Sequence, residues 1–507
     1  MKSRNSGLLL SYGYFALSAV VSIFMSSFVI RTIGKTDYGV YQAIAAFVNY
    51  LTLLEFGTGR IMSRNISLLK KDGSEELQIK KNISTVMVLN SGLMLLILAG
   101  AVCFWLSLDG IYRNSMTPDQ IVMAKRLFFF PVVSLGVSFF QQTFNGILIG
   151  YEHYTFEKVV STIKLVLRTL LLVVGLCLRS SIYLYVIIDT AANCIGFGVT
   201  VLYVCLKMKV PIRFGCFDKQ ILKSILPLCF AMLLQSLVTT MNNTLDKFLI
   251  GVMMTPEDVT VYSIAMTVYS MFSTIACLPM GLYMPAIAQD MRKGLRGKEL
   301  TQTLLAPCRF NILITGLIVA GFAIAGRQFI TILYGQEFLT SWYCAMLVLI
   351  PMFLNTANDV VINVLDILNK RHIRSTILIG TTALNFVLTI WGIQQLGMVG
   401  ASLATGIATL LQVIILNIYY QTKIRVDVLC LFRKGFAGTI PSMLIGCLAA
   451  LPLYFLIRNP YLSFFACGIT FLLIFGLLFV FWGANPTERQ KIRSVITTLK
   501  LGRNRNG

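Results

Sequence analysis

"FVIRTIGKTDYGVY" (Phe28–Tyr41) closes one apolar run and opens another, and "FLIGVMMTPEDVTVY" (Phe248–Tyr262) does the same further along. With one inserted residue, Phe28 meets Phe248, Asp37 meets Asp258 and Tyr41 meets Tyr262, at an offset of about 220 residues. Further on, at an offset of 218, Gln141 and Asn145 meet Asp359 and Asn363. Order and spacing agree, so the chain reads as two parallel repeats of one multi-span unit.

Working outward, the chain falls into fourteen apolar runs: 8–30, 39–59, 83–106, 124–149, 159–178, 182–206, 225–250, 259–287, 310–332, 341–367, 374–394, 398–420, 436–457 and 461–483. A bilayer core of about 30 Å needs about 20 such residues in a helix. Helix satisfies every backbone group within its own segment, and the alternation of a barrel strand is missing. The expected fold is an all-α integral membrane protein of about fourteen spans. Two pseudo-symmetric six-helix lobes (1–206 and 225–420) would be joined by a linker (207–224). Two extra spans (436–483) and a basic tail (484–507) would follow.

Composition supports this. Of 507 residues, 56% are hydrophobic and 13% charged, against about 25% charged in soluble proteins. A soluble enzyme, a disordered chain and a disulfide-stapled secreted protein are excluded. The net charge of +22 does not point to nucleic acid, because the basic residues lie in short loops between apolar runs. With the N-terminus inside, inner loops and tails hold 32 of the 43 Lys and Arg residues and outer loops hold eight, which makes both termini cytoplasmic. Trp105, Trp342, Trp391 and Trp482 fall at span ends, where indoles favour the interface. The 12 cysteines include no CxxC, and His153 and His372 lie far apart, so no metal site or triad emerges. The N-terminal run is too long for a signal peptide and is expected to be an uncleaved first span.

Two six-span lobes about a seam suggest a transporter. At this point four stretches resemble the bacterial polysaccharide flippases of the multidrug/oligosaccharidyl-lipid/polysaccharide exporter superfamily. They are the first motif above, "LLEFGTGRIMSRNIS" (Leu53–Ser67), "LDKFLIG" (Leu245–Gly251) and "LNFVLTIWGIQQLGMVGASLATGIA" (Leu384–Ala408). The resemblance implies a bacterial cytoplasmic (inner) membrane protein acting as a functional monomer. It would move undecaprenyl-diphosphate-linked oligosaccharide between leaflets by alternating access, for O-antigen, capsule or exopolysaccharide. Membrane lipids, a polysaccharide polymerase and glycosyltransferases are the implied partners; nucleic acid is not one. No cofactor is expected, no GxxxxGK[ST] motif is present, and coupling to H+ or Na+ is left open.

A diphosphate crossing hydrocarbon needs cations and hydrogen-bond donors along its path. Lys164 and Arg168 are one helical turn apart in span five and share a face. They could hold the anion; alternatively Lys164 snorkels and Arg168 pairs with Asp189. Span seven carries Asn242, Asn243, Asp246 and Lys247 on its polar side. Lys247 could attract the diphosphate and Asp246 carry a coupling ion, or the two could pair near the interface with Lys247 snorkelling, and a helix-packing role for Asp246 is equally open. Asp359 in span ten is an ion-coupling candidate or part of a helix-gluing polar cluster with Asn355, Asn358 and Asn363. Glu55 is an ion-coupling candidate or an interfacial partner of Arg60 and Arg64. Arg31, ending span one, either guides the headgroup at release or anchors its helix.

Two rivals are weighed. A cation-coupled multidrug exporter of the same superfamily predicts twelve spans and a smaller acidic or aromatic pocket. A membrane polysaccharide polymerase or glycosyltransferase needs a large outer loop, and the longest outer loop has about 17 residues (107–123).

Overall fold

Helix formation is dictated by the apolar runs themselves, and in the computed structural model the described residues of the fourteen runs are helical apart from short breaks. The structure describes residues 2–55, 57–71, 76–210, 215–368, 370–486 and 488–490. Among these the chain is all-helical, without strands. The helices are α1 (Lys2–Ile33), α2 (Lys35–Leu51), α3 (Thr58–Lys71), α4 (Glu76–Ile111), α5 (Pro118–Gly150), α6 (Tyr154–Leu178), α7 (Ile182–Leu202) and α8 (Lys219–Met253). Then come α9 (Pro256–Arg292), α10 (Gly297–Leu333), α11 (Thr340–Ile367), α12 (Arg371–Tyr419), α13 (Val428–Phe436), α14 (Thr439–Leu456) and α15 (Pro460–Leu478). Eleven helical stretches are long and apolar enough to cross a membrane, and Leu17–Ile33 is a shorter apolar helix. Large apolar side chains such as Leu178, Phe455, Leu456 and Trp482 stand exposed, as a lipid-facing surface requires.

Two spans differ from the uniform helices expected. The run 39–59 breaks: α2 ends at Leu51, a 3-10 turn covers Thr52–Glu55, and Gly57 adopts φ +64° before α3 begins. Close packing explains why small residues follow the break. A Cβ on Gly59 would lie 2.4 Å from the Gln142 carbonyl oxygen, and one on Gly146 only 2.3 Å from that of Gly59. Conversely, α12 is one helical element of 49 residues that contains two expected spans. It reverses at Gly397 (φ 61°, ψ −141°), a conformation essentially limited to glycine. Gly392 and Gly400 then meet backbone to backbone.

One local tie occurs twice in the chain. The π-helical turn Tyr203–Lys207 leads to Lys209 at φ 51°, and the turn Tyr420–Ile424 leads to Arg425 at φ 62°. Beyond each turn an aspartate caps the next helix, Asp218 for α8 and Asp427 for α13. The Asp218 backbone N–H donates to Thr85 Oγ1 at 3.0 Å, and that of Asp427 donates to Thr301 Oγ1 at 3.0 Å. Thr85 lies in the N-terminal part of α4 and Thr301 in that of α10.

Two compact units are present: Met1–Thr267 with Phe386–Ala401, and Val268–Asn385 with Ser402–Gly507. In the first, Ile61, Met62, Ile83, Met87, Ile147 and Val204 form a dry cluster. In the second, Leu304, Cys308, Val360, Val364, Leu416 and Tyr420 form another, and Met443, Phe471 and Phe475 bind α14 and α15 into the same unit.

Candidate functional site

Span one places Ser18, Ser22 and Ser26 one turn apart along a single helical face of α1. Those hydroxyls, with Tyr38 and Gln42 of α2, Arg168 and Thr169 of α6, Tyr185 of α7 and Thr267 of α9, line a cavity of about 300 Å³ within the first unit. Arg168 is half-buried there, and its Nε lies 2.5 Å from Asp189 Oδ1. The ion pair envisaged between spans five and six is thus present. Tyr185, one turn before Asp189, meets Tyr41 edge-on with ring centroids 5.3 Å apart.

Lys164 does not snorkel away from this group. Its Nζ donates to Asn193 Oδ1 at 3.2 Å, and Asn193 Nδ2 donates in turn to Ser134 Oγ at 2.6 Å. Gly196 makes room for the lysine stem, because a Cβ there would come 2.8 Å from Lys164 Cδ. Lys164 lies within electrostatic reach of both Arg168 and Asp189. Two cations and one carboxylate leave the cluster with a formal charge of +1. In a low-dielectric surrounding such a charge favours an anionic guest.

A second polar cavity of about 280 Å³ opens where span two breaks. Glu55, Thr58 and Arg60 face Gln142 of α5 and Ser236, Thr239 and Thr240 of α8 across it. The break is what exposes these groups, since a continuous helix would have carried Glu55 past this level. Among the described residues Glu55 makes no ion pair, so the expected bridge to Arg60 or Arg64 does not form.

The remaining candidates are dispersed. Asp246 is buried and accepts from Tyr262 Oη at 2.6 Å and from Thr389 Oγ1 at 3.2 Å. It ties α8, α9 and α12 together and does not pair with Lys247. Lys247 is half-buried and has no acidic partner among the described residues. Asn242 is half-buried and engaged; the Asn243 side chain lies outside the described residues. Arg31 is exposed in the last turn of α1, where a cation complements the helix dipole. Asp359 belongs to the second unit, buried on α11 among Asn355, Asn358 and Asn363, with Arg374 as a nearby charge.

Three features of the cavity were not singled out from the sequence: Ser18, the Tyr41–Tyr185 pair and Gln42. The serines at steps of four in an apolar helix were the available signal. The tyrosine pair carries no such signal, because it joins residues from different spans.

One further contact concerns the repeated turns that begin the sequence reading. Thr36 Oγ1 donates to Glu257 Oε1 at 2.5 Å, and Thr260 Oγ1 donates to the Lys35 carbonyl at 2.6 Å. Gly39 packs so closely on Pro256 that a Cβ would lie 1.8 Å from its carbonyl oxygen. The two pseudo-equivalent turns therefore join directly, both within the first unit.

Comparison with known proteins gives a consistent result. A Shigella flexneri protein described as an O-antigen transporter is 19% identical over 415 residues, covering 81% of this chain and 95% of that protein. The lipid II flippase MurJ, in an inward closed conformation, superposes with a TM-score of 0.73 at 16% identity, over 93% of this chain and 98% of MurJ. An inward-facing multidrug resistance MATE family transporter of the MOP superfamily superposes with a TM-score of 0.58 at 14% identity, over 80% of this chain and 94% of that one. At these identities the structural likeness speaks for the fold, and these relatives are transporters or flippases, not enzymes. The polysaccharide biosynthesis protein family model matches residues 4–291, and with these residues the chain belongs to that family.

Proposed function

We propose that this protein is a flippase of the bacterial cytoplasmic membrane. It carries undecaprenyl-diphosphate-linked oligosaccharide from the cytoplasmic to the outer leaflet for surface polysaccharide assembly. The observation that carries this reading is the Lys164–Arg168–Asp189 cluster, with its surplus positive charge, beside a cavity lined by serine, threonine, tyrosine and glutamine. An anionic headgroup finds there the charge and donors it loses on leaving water. The polyprenyl tail needs neither and stays in lipid.

Alternating access supplies the transport cycle in this reading. In it lobes 1–206 and 225–420 are the moving bodies, and the turns joined at Thr36 and Glu257 part during the cycle. Glu55, without an ion-pair partner among the described residues of its cavity, is the favoured group for coupling to H+ or Na+. The cytoplasmic termini follow from the excess of basic residues in the inner loops.

The test is deletion of the gene, followed by assay of lipid-linked oligosaccharide in inner-membrane vesicles. Accumulation on the cytoplasmic leaflet, reversed by the wild-type gene, is the expected result. Unchanged glycolipid with altered efflux of cationic dyes would instead favour the multidrug exporter, whose fold is shared.

A further inference from the structure

The largest of the described cavities, about 580 Å³, lies away from both polar sites, between α4 and α5. Its walls are Leu98, Val102, Phe129 and Val133, with Phe140 and Phe197 toward its far end. Leu98, Val102 and Phe129 are all strongly exposed, so the slot opens on the lipid side of the first unit. Water is a poor occupant, since these walls offer it no hydrogen-bond partners. Hydrocarbon must therefore fill the space.

The rim gives the slot a headgroup preference. Lys125 Nζ lies 2.5 Å from Asp109 Oδ2 and 5.3 Å from the centroid of the Trp105 ring. Asp109 is largely exposed, and Arg126, next in sequence, is exposed as well. One end of the slot thus presents two cations, an exposed carboxylate paired with one of them through a single oxygen, and an interfacial indole. From Lys125 to Phe140 the helix advances fifteen residues, or about 22 Å. That exceeds the roughly 15 Å of half a hydrocarbon core, so the slot holds an ordered, extended chain.

We infer that the α4–α5 slot is a binding site for one phospholipid with a zwitterionic ethanolamine headgroup. One acyl chain lies along Val102, Phe129 and Val133. The phosphate sits against Lys125 and Arg126, and the ammonium sits against Asp109. Charges of both signs within one ion pair fit a headgroup carrying both signs better than a purely anionic one, and the exposed Asp109 carboxylate can accept hydrogen bonds from a primary ammonium, which a quaternary choline cannot donate. The site is independent of what the protein transports, and its lipid wedges spans three and four apart at the outer interface.

The experiment uses the full chain in nanodiscs of phosphatidylcholine supplemented with phosphatidylethanolamine or phosphatidylglycerol, read by native mass spectrometry after gentle release. The wild type should retain one phosphatidylethanolamine in at least fivefold preference to phosphatidylglycerol. Val133→Trp, which fills the slot, should reduce that occupancy at least fivefold. Asp109→Asn, at the exposed rim where folding is not at stake, should abolish the preference and leave phosphatidylglycerol bound as well. Equal retention of both lipids by the wild type, unchanged preference in Asp109→Asn, or full occupancy in a monodisperse Val133→Trp would each overturn the assignment.

Discussion

Arg309 of α10 and Glu488, which follows α15 in the chain, form a two-pronged ion pair. Nε lies 2.8 Å from Oε1, and Nη2 lies 3.0 Å from Oε2. The guanidinium also donates to the carbonyls of Lys434, Ala437 and Gly483. Arg309 is almost fully buried, at 3% exposure. One side chain thus fastens both extra spans and the start of the tail to the ninth span.

Removing one partner of such a pair leaves a buried group unsatisfied. Arg309→Met should lower stability by about 3 kcal/mol, seen as a fall in the detergent-solubilised melting temperature. Glu488→Gln keeps acceptor and donor atoms in place and should lose less. Equal melting of all three proteins would show that the fastening contributes nothing.

The pair of Arg168 with Asp189 separates transport from folding. Arg168→Ala should abolish export while costing about 1 kcal/mol, because both side chains keep partial solvent contact. The double variant Arg168→Ala, Asp189→Ala should regain that stability without regaining export, as measured by surface polysaccharide against membrane abundance. Recovery of export in the double variant would make the pair a structural element only.

Thr36 and Glu257 touch across the two repeated turns. In a variant depleted of native cysteines, Thr36→Cys with Glu257→Cys should be bridged by a short bifunctional thiol reagent. Bridging should stop export, and reductive cleavage of the bridge should restore it. Export that continues at full rate with the bridge intact would mean the turns need not separate.

Gly397 sets the reversal within α12. Gly397→Ala forces a side chain into a region that L-residues avoid and should cost about 1–3 kcal/mol. Gly380→Ala, in open space on the same element, is the matched control and should melt as the wild type. Equal melting of the two variants would remove the strain argument.

Much of the fold was legible because lipid is an uncompromising solvent. The described residues of the runs from 8–30 to 461–483 are helical apart from short breaks such as the one in 39–59, since a backbone in lipid has no other partner. The broken span at Thr52–Glu55 was not legible. The close approach of Gly59 to Gly146 just beyond it joins residues far apart in sequence. Lys164 and Arg168 were readable as intramembrane cations, but whether they snorkel or gather was not. Asn193, Asp189 and the space left by Gly196 decide that, and all come from the neighbouring span. Asp246 shows the opposite outcome, a charge that looked available but is held by Tyr262 and Thr389.

By itself the sequence determined that the chain lives in a membrane and that it is helical, because hydropathy and periodicity are properties of single segments. Tertiary structure alone decided which polar residues share a cavity, which carboxylates are already satisfied, and where the repeated turns meet. Those outcomes depend on partners from different spans, and within an apolar medium a polar atom's role is set by the partner it finds.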